Sequence, residues 1–324
     1  MDLKSNTDTH QIEKSISESL LNWDKASSVR TKQNTYDLSH PETYLNEEKF
    51  WFIPNALPCI QKPEFKALGE NAGNTLLARY LVFFLDYTSA LETEIVNRSI
   101  KTISTDSLNL DLNGDIKLTA LRLYADEAYH AVISTEVANQ VSSIHGIQSR
   151  AAANDKIRRA ITLTDEASES HMELAWFLMG FVSETVITKE YLEFTKNTIY
   201  KPVFQMMRDH LEDEFKHVSF FSRMFSLVWS KADEADRKFI RNFTPKIIKE
   251  FFKPHDSWLH KNLIDLGVST VTASSISDDL NSERTHIART KAGCTTTILA
   301  MRKAGFFNDP RNSLHFIKEE VIDG

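Results

Sequence analysis

Two Glu-x-x-His pairs, each set in an apolar stretch of helical periodicity, constrain the fold more than any other feature of this chain. Glu127 and His130 form the first pair, and Glu214 and His217 form the second. Residues three apart project from the same face of a helix, so each pair would point towards a neighbouring helix. Buried carboxylates and imidazoles cost free energy unless they are paired or bind a metal. The two pairs therefore predict a metal-binding helical core.

The second pair is preceded by a further histidine, one helical turn earlier. His210, Glu214 and His217 lie at positions i, i+4 and i+7, so a helix would place all three on one face. Apolar residues continue that face in both directions, from Val203 to Phe225. His210 is therefore a candidate ligand, with an ordinary hydrogen-bonded core histidine as the alternative.

A third Glu-x-x-His spacing, from Glu283 to His286, occurs among polar residues. In a chain with 11 histidines, one such pair is expected by chance. We interpret this pair as the solvated start of a helix. It provides an internal control for the two apolar pairs.

A dinuclear site in a four-helix bundle requires one more glutamate from each of the two remaining helices. Glu184 ends an apolar run between the two pairs, while Glu92 and Glu94 both lie in an apolar helix before the first pair. Glu92 and Glu94 are two residues apart and cannot share a helix face. Their neighbours are almost equally apolar, so periodicity leaves open which of them points inward.

The donor types indicate which metal such a site would bind. Four carboxylates with two or three histidines favour iron, with manganese as the second choice, over zinc, whose structural sites prefer cysteine and histidine. The alternative is a set of core polar groups that satisfy one another. That alternative gives no reason for two inward Glu-x-x-His pairs on separate helices.

The remaining sequence fits one all-α domain over residues 1–324. The chain has only 9 glycines and 8 prolines, and neither linker-like segments nor internal repeats interrupt it. We predict a ferritin-like four-helix bundle core over about residues 64–230. An additional amphipathic helix is expected before the core, and C-terminal helices are expected over about residues 233–304.

Charge and hydropathy argue against several classes of partner. The net charge of −7 gives no electrostatic reason to bind nucleic acid or an anionic membrane. The apolar runs stay below the roughly 18 residues of a membrane span, and the N-terminus lacks a signal-peptide core. The two cysteines, Cys59 and Cys294, do not form a disulfide framework. We therefore expect a cytoplasmic protein without nucleic-acid or membrane partners.

The order and the amino-acid sequences of these segments resemble those of the p-aminobenzoate N-oxygenase family of ferritin-like di-iron enzymes. The matching sequence motifs are Thr93-Glu94-Ile95, Asp126-Glu127-Ala128-Tyr129-His130, Ser183-Glu184-Thr185-Val186-Ile187 and His210-Leu-Glu-Asp-Glu-Phe-Lys-His217. His-x3-Glu-x2-His combined with Asp-Glu-x-x-His is the most specific part, and the phrase Thr-Glu-aliphatic favours Glu94 over Glu92. The resemblance thus implies a metal-ligand set of Glu94, Glu127, His130, Glu184, His210, Glu214 and His217.

The resemblance also implies a function. It predicts a monooxygenase that holds two iron ions, cycling between Fe2+ and Fe3+, and uses O2 as co-substrate. Its substrate would be a small amine, free or tethered to a carrier protein, oxidised to hydroxylamine, nitroso or nitro product in secondary-metabolite biosynthesis. An external electron donor and a homodimer are further expectations.

Three more residues complete the predicted site. Arg289, four residues before Gly293, resembles the family element that anchors a substrate carboxylate, with a helix-surface charge as the alternative. Asp126 and Asp213 each precede a ligand glutamate. They are expected to accept a hydrogen bond from a ligand histidine, unless they are ordinary surface acids.

Other functions are compatible with the same residues. A di-iron hydroxylase, desaturase or C–C cleaving oxidase would keep the metal and act on another small molecule. A non-catalytic iron-binding bundle would keep the metal without a reaction, and a helical interaction module would need no metal.

Overall fold

The computed structural model describes residues 2–32, 36–40, 49–148, 150, 152–194, 198–253 and 256–324. These residues are mostly helical, and Phe50 and Ile199 form an isolated parallel β-bridge. The α-helices are α1 (Asp2–Ser17), α2 (Trp23–Ala26), α3 (Ser28–Thr31), α4 (Pro63–Lys66), α5 (Glu70–Leu91), α6 (Asn97–Ser104), α7 (Gly114–His145), α8 (Ala152–Thr162), α9 (Met172–Phe194), α10 (Lys201–Lys231), α11 (Glu234–Phe252), α12 (Asp256–Asp265), α13 (Thr270–Asn281), α14 (Glu283–Gly293), α15 (Thr295–Lys303) and α16 (Pro310–Lys318). The predicted all-α fold is confirmed.

Four long helices form the core of the bundle. The first is continuous over residues 70–104, because a π-helical turn, Glu92–Val96, joins α5 to α6. This helix packs against α7 and α9, and α10 packs against α9 and α7. The arrangement is the ferritin-like core that the two Glu-x-x-His pairs predicted.

Aromatic packing holds α9 and α10 together. Phe181 on α9 stacks on Phe225 on α10, with ring centroids 4.4 Å apart, and both side chains are fully buried. Burial of one such side chain contributes about 1.5–3 kcal/mol to stability. This packing fixes the two helices that carry Glu184 and the second Glu-x-x-His pair.

A glycine allows α9 to approach α6 closely. A Cβ atom at Gly180 would lie 2.2 Å from the Oγ atom of Ser99, a distance that two such atoms do not adopt. Glu184 follows Gly180 by one helical turn and projects into the same interior. The close approach therefore helps to bring Glu184 next to the helix of Glu92.

Helices from both ends of the chain cover the bundle. At the N-terminal end, α1 packs on α10 and α7. At the C-terminal end, α11 packs on α9, α15 packs on α10 and α9, and α16 packs on α11. The helix α16 continues the helical region beyond the predicted limit near residue 304. Across the described ranges, we find no helix that combines the length and the apolar character needed to cross a membrane.

Candidate metal centre

The four core helices bring acid and imidazole side chains into one buried cluster. Every member has at most 1% of its surface exposed. The cluster consists of Glu92, Glu127, His130, Glu184, His210, Glu214 and His217. Six of these seven residues belong to the set expected from the sequence, and the seventh, Glu92, replaces Glu94.

The structure places Glu92 in the cluster in place of the expected Glu94. Glu94 is exposed and lies outside the cluster, whereas Glu92 is buried and its Oε1 atom lies 3.4 Å from Nε2 of His210. Both glutamates belong to the π-helical turn, which holds one residue more per hydrogen-bonded ring than an α-helix. Counting α-helical positions therefore does not give their directions.

The residues one helical turn away from the two glutamates indicate which of them faces the interior. Thr88 and Val96, which flank Glu92 along its face, are completely buried. Arg98, one turn after Glu94, is only partly buried and forms an ion pair at 2.7 Å with Glu173. A charged residue four positions after Glu94 marks the outer face, so it favoured Glu92.

The donor atoms of the cluster fall into overlapping groups. Within each group, one atom from every residue lies within 4.8 Å of the others. The groups are Glu92, His130, His210 and Glu214; Glu127, His130, Glu214 and His217; and Glu92, Glu127 and Glu184. Because Glu92, Glu127, Glu214 and His130 each belong to two groups, the donor atoms form one continuous set that could hold two ions.

Two of the imidazoles are oriented in the same way. Nδ1 of His130 lies 3.2 Å from Glu127 Oε2, and Nδ1 of His217 lies 2.6 Å from Glu127 Oε1. The opposite nitrogen, Nε2, faces an aspartate: it lies 3.5 Å from Asp213 Oδ2 in His130 and 3.4 Å from Asp126 Oδ2 in His217. Both rings therefore present Nδ1 to the interior of the cluster and Nε2 to a supporting carboxylate.

The supporting carboxylates pair crosswise between two helices. Asp126 lies on α7 and pairs with His217 on α10, whereas Asp213 lies on α10 and pairs with His130 on α7. Both aspartates are at most 1% exposed, so they are not surface acids. A carboxylate that accepts the N–H of a metal-binding histidine is the usual support for such a ligand.

The cluster contains buried polar atoms without a hydrogen bond of normal geometry. These atoms are both carboxylate oxygens of Glu92, Oε1 of Glu127, Oε2 of Glu214 and Nδ1 of His217. Buried polar atoms in native proteins normally have a partner, because desolvation without one costs free energy. Metal coordination would satisfy these atoms, so the donor set fits a metal centre.

Burial and mutual repulsion separate the carboxyl groups into two kinds. Burial raises the pKa of Glu92 and Glu184 well above the usual glutamate range, and the neighbouring carboxylates raise it further. Burial acts in the same direction on Glu127 and Glu214, but the charge of His217 and the hydrogen bonds with His130 and other neighbours together outweigh it. The pKa of Glu127 falls to about 2, and the pKa of Glu214 lies well below its usual range.

The imidazoles also differ from one another. Burial would lower the pKa of His130 and His217, but the surrounding carboxylates together hold both pKa values well above the usual range. The largest of these opposing effects is the hydrogen bond with Asp213 for His130 and the charge of Glu127 for His217. Burial lowers the pKa of His210, and the adjacent His130, whose ring stacks on it at 3.9 Å, lowers it further. Without a metal, the cluster therefore holds protons that coordination would displace.

The comparison with known families agrees with this geometry. The family described as p-aminobenzoate N-oxygenase AurF matches residues 11–293 of the chain. The chain belongs to the AurF family. Its members are di-iron N-oxygenases, so the protein is an enzyme of the oxidoreductase class, and its buried glutamate and histidine cluster fits iron binding. A search among curated proteins gave no match.

The region matched to the AurF family includes residues near the cluster that the sequence did not reveal. Trp23 and Ser27 donate to Asp126, and the backbone N–H of Ser28 donates to Asp213. These donors lie about a hundred or more positions before their acceptors and outside the core helices. No periodicity links such distant segments, so only the tertiary structure brings them together.

Arg289, the expected carboxylate anchor, lies outside the cluster on α14. Its Nη2 donates to the carbonyl of Leu280 at 3.0 Å, and Nη1 donates to the carbonyl of Phe252 at 3.5 Å. These carbonyls lie at the C-terminal ends of α13 and α11, where helices have unsatisfied acceptors. Arg289 therefore ties two helix ends together, and its role in substrate binding stays a prediction.

The surroundings of Arg289 explain the glycine that follows it. A Cβ atom at Gly293 would lie 2.1 Å from Cζ of Phe252, so a side chain there would separate α14 from α11. Arg289 also lines a cavity of about 210 Å³, whose described lining includes Phe83 and Trp258 but no member of the cluster. The Arg-x3-Gly element of this AurF-family chain thus has a packing function.

The control pair behaves differently from the two apolar pairs. Glu283 is the first residue of α14 and is exposed, and Ser282 caps that helix by accepting the N–H of Thr285. Nε2 of His286 lies 3.2 Å from the carbonyl oxygen of Lys249. The structure therefore places this pair at a helix start, away from the cluster.

Proposed function

We propose that this enzyme holds two iron ions in the buried cluster and uses O2 to oxidise the nitrogen of a small amine. The product would be a hydroxylamine or, after further oxidation, a nitroso or nitro compound. The observation that carries the proposal is the fully buried set of four glutamates and three histidines with unsatisfied donor atoms, in a member of an N-oxygenase family. Secondary-metabolite biosynthesis is the process in which we expect this reaction.

The seven cluster residues would be the metal ligands. Glu127 would be a central ligand, because its two oxygens face two different imidazoles, those of His130 and His217. Glu214 is also central, because its Oε1 lies 3.0 Å from His210 Nε2 and 3.4 Å from the Nδ1 atoms of His130 and His217. Carboxylates in these positions suit a dinuclear centre in a four-helix bundle.

Bound iron would supply the activation of O2, and the chain would supply orientation and the exclusion of water. With metal bound, Asp126 and Asp213 would accept the Nε2–H of His217 and His130, so the Nδ1 lone pairs of both rings would be free to bind the metal. The complete burial of the ligands keeps bulk water away, which limits side reactions.

Iron content separates this proposal from a bundle of mutually satisfied polar groups. After anaerobic Fe(II) loading and desalting, the wild type should retain about two irons per chain, as a dinuclear bundle site requires. Glu214→Ala should lose them, whereas the matched variant Glu283→Ala should retain them. Full iron retention in Glu214→Ala, measured by elemental analysis, would overturn the ligand assignment.

Product analysis then distinguishes N-oxygenation from rival di-iron reactions. The first substrate to test is p-aminobenzoate, the compound in the family's name, followed by other free and carrier-tethered amines. N-oxygenation adds oxygen to the amine nitrogen, whereas hydroxylation adds it to carbon and desaturation removes two hydrogens. Incorporation of label from 18O2 into the amine group would support the proposal, and unlabelled or desaturated products would contradict it.

Two partners complete the proposal. Reduction of O2 to the level of water needs electrons that the amine does not always supply, so we propose an external electron donor. We also propose a homodimer and a cytoplasmic location, as the sequence led us to expect. Analytical ultracentrifugation tests the dimer, and the dependence of turnover on added reductant tests the donor.

A further inference from the structure

A short N-terminal segment contacts both of the aspartates that support the cluster. This segment, Trp23–Ser28, covers α2 and the start of α3. The indole Nε1–H of Trp23 donates to Oδ1 of Asp126 at 2.8 Å, and the backbone N–H of Ser28 donates to Oδ2 of Asp213 at 2.9 Å. One segment therefore reaches the supports of both His217 and His130.

The two carboxylate oxygens of Asp126 have different partners. Oδ1 accepts from the indole of Trp23 and from the hydroxyl of Ser27, while Oδ2 faces Nε2 of His217 at 3.4 Å. Two donors on one oxygen prevent rotation of the carboxylate about its Cβ–Cγ bond. The position of Oδ2, and with it the plane of the imidazole, is therefore set by the N-terminal segment.

Asp213 is held in an equivalent way by different donors. Its Oδ2 accepts from the N–H of Ser28 and faces Nε2 of His130 at 3.5 Å, while its Oδ1 accepts from Lys216 Nζ at 2.9 Å. Ser28 also donates through Oγ to the carbonyl oxygen of Asp209 at 3.1 Å. The segment is thus anchored to α10 by side chain and backbone together.

These contacts lie in the interior rather than at the surface. Ser27 and Ser28 are at most 2% exposed, as are Asp126 and Asp213. A hydrogen bond to a buried carboxylate is charge-assisted and is not replaced by water when its donor is removed. Loss of a donor should therefore change the orientation of the aspartate instead of simply exposing it.

We propose that Trp23 and Ser27 are positioning residues of the metal centre, which act on the ligand His217 through Asp126. This inference rests on the proposed metal-binding function of the cluster. The two residues fix the carboxylate, the carboxylate fixes the ring, and the ring directs Nδ1 at the metal. Removal of such support typically costs about 10–100-fold in metal affinity.

The test compares Trp23→Phe with Trp176→Phe. Trp176 is a matched control because it is also a partly buried indole under an arginine: Arg98 lies 5.3 Å from its ring, and Arg30 lies 5.5 Å from the ring of Trp23. Among the described residues, the donors to Asp126 Oδ1 are Trp23 and Ser27, and Trp176 is not one of them. Each substitution keeps an aromatic ring and removes an indole N–H.

Anaerobic Co(II) titration reports both affinity and ligand geometry, and it requires no turnover. Trp23→Phe should weaken Co(II) binding about 10–100-fold and alter the ligand-field absorption bands, while Trp176→Phe should match the wild type. Thermal unfolding of the metal-free proteins measures stability separately, and it should fall more in Trp23→Phe because that indole donates to a buried carboxylate. An altered ligand-field spectrum of the folded, Co(II)-bound variant is a result that a merely structural role would not produce.

A second pair of variants keeps the test decisive if Trp23→Phe does not fold. Ser27→Ala removes the hydroxyl donor and should weaken Co(II) binding, whereas Ser27→Thr keeps the hydroxyl and should restore binding. Equal affinity and identical spectra for wild type, Trp23→Phe and Ser27→Ala would overturn this inference and leave the metal centre intact. Failure of the wild type itself to bind Co(II) or Fe(II) would instead overturn the proposed function.

Discussion

The three Glu-x-x-His pairs of this chain have the same spacing and different surroundings. The pairs on α7 and α10 are fully buried and face one another, whereas the pair on α14 begins a helix at the surface. The buried pairs include donor atoms without normal hydrogen-bond partners, while His286 lies within hydrogen-bond distance of a backbone carbonyl. The comparison shows that spacing alone does not make a site. In this chain, the pairs that form the candidate metal centre are the buried ones, whose donor atoms lack normal hydrogen-bond partners.

The largest effect should come from the histidine in each kind of pair. His217→Ala removes a donor that contacts Glu127 at 2.6 Å, so we expect loss of bound iron and of turnover. His286→Ala removes a ring that faces only a backbone carbonyl among its described polar contacts, so iron content should stay at the wild-type level. Elemental analysis after anaerobic iron loading measures the iron content of both variants. Equal iron contents would contradict the assignment of the buried pair, and not the pair on α14, to the metal centre.

The next effect distinguishes the two glutamates of the π-helical turn. Glu92→Gln replaces a buried carboxylate that lies 3.4 Å from His210, so it should reduce iron binding strongly. Glu94→Gln changes an exposed side chain and should leave iron binding unchanged. Iron titration of both variants provides the measurement. A stronger defect in Glu94→Gln would show that the inward face of this turn is assigned incorrectly.

The buried pairs should also make metal binding depend on pH. The pKa values of Glu92, Glu184, His130 and His217 are raised, so these groups hold protons that a metal must displace. Low pH keeps the protons bound and weakens binding, and higher pH strengthens it by about tenfold per pH unit for each proton released. Proton release on Co(II) addition can be followed with an indicator dye. Affinity that falls as pH rises through neutrality would contradict this prediction.

The smallest effect concerns the surface region around Arg289. Arg289→Ala removes donors to the ends of α11 and α13, so stability should fall by about 1–2 kcal/mol, while iron content should not change. Denaturant unfolding measures the first quantity, and elemental analysis measures the second. A raised KM for substrates with a carboxylate, but not for those without one, would assign Arg289 a substrate role as well.

The part of the site that could be predicted from the sequence is the part carried by regular helices. Glu127 and His130 lie on one long helix, and His210, Glu214 and His217 lie on another, so the α-helical repeat determined their common direction. The four-helix core followed from the two Glu-x-x-His pairs and the two further apolar helices that carry a glutamate, because a dinuclear bundle site needs all four.

Helical periodicity did not identify Glu92, because the helix departs from the α-helical repeat where that residue lies, and the charged Arg98 was the remaining signal in the sequence. Trp23 and Ser27 could not be predicted because their effect depends on contacts with α7 across about a hundred residues. The backbone contacts of Arg289 depend on where two other helices end. In each case the position of the residue depends on tertiary contacts or on a local irregularity of the backbone, neither of which follows from sequence periodicity.

The π-helical turn also has a consequence for how this enzyme could gain or lose its centre. Such a turn accommodates one residue more than an α-helical turn, and the helix on either side of it keeps its own packing. Deletion of one residue within Glu92–Val96 would convert the turn to α-helix and rotate α5 and α6 relative to one another, so Glu92 and the residues after the turn would not both keep their present directions. The helix would remain, with its length shortened by one residue. An enzyme and an inert bundle could thus differ by a single codon.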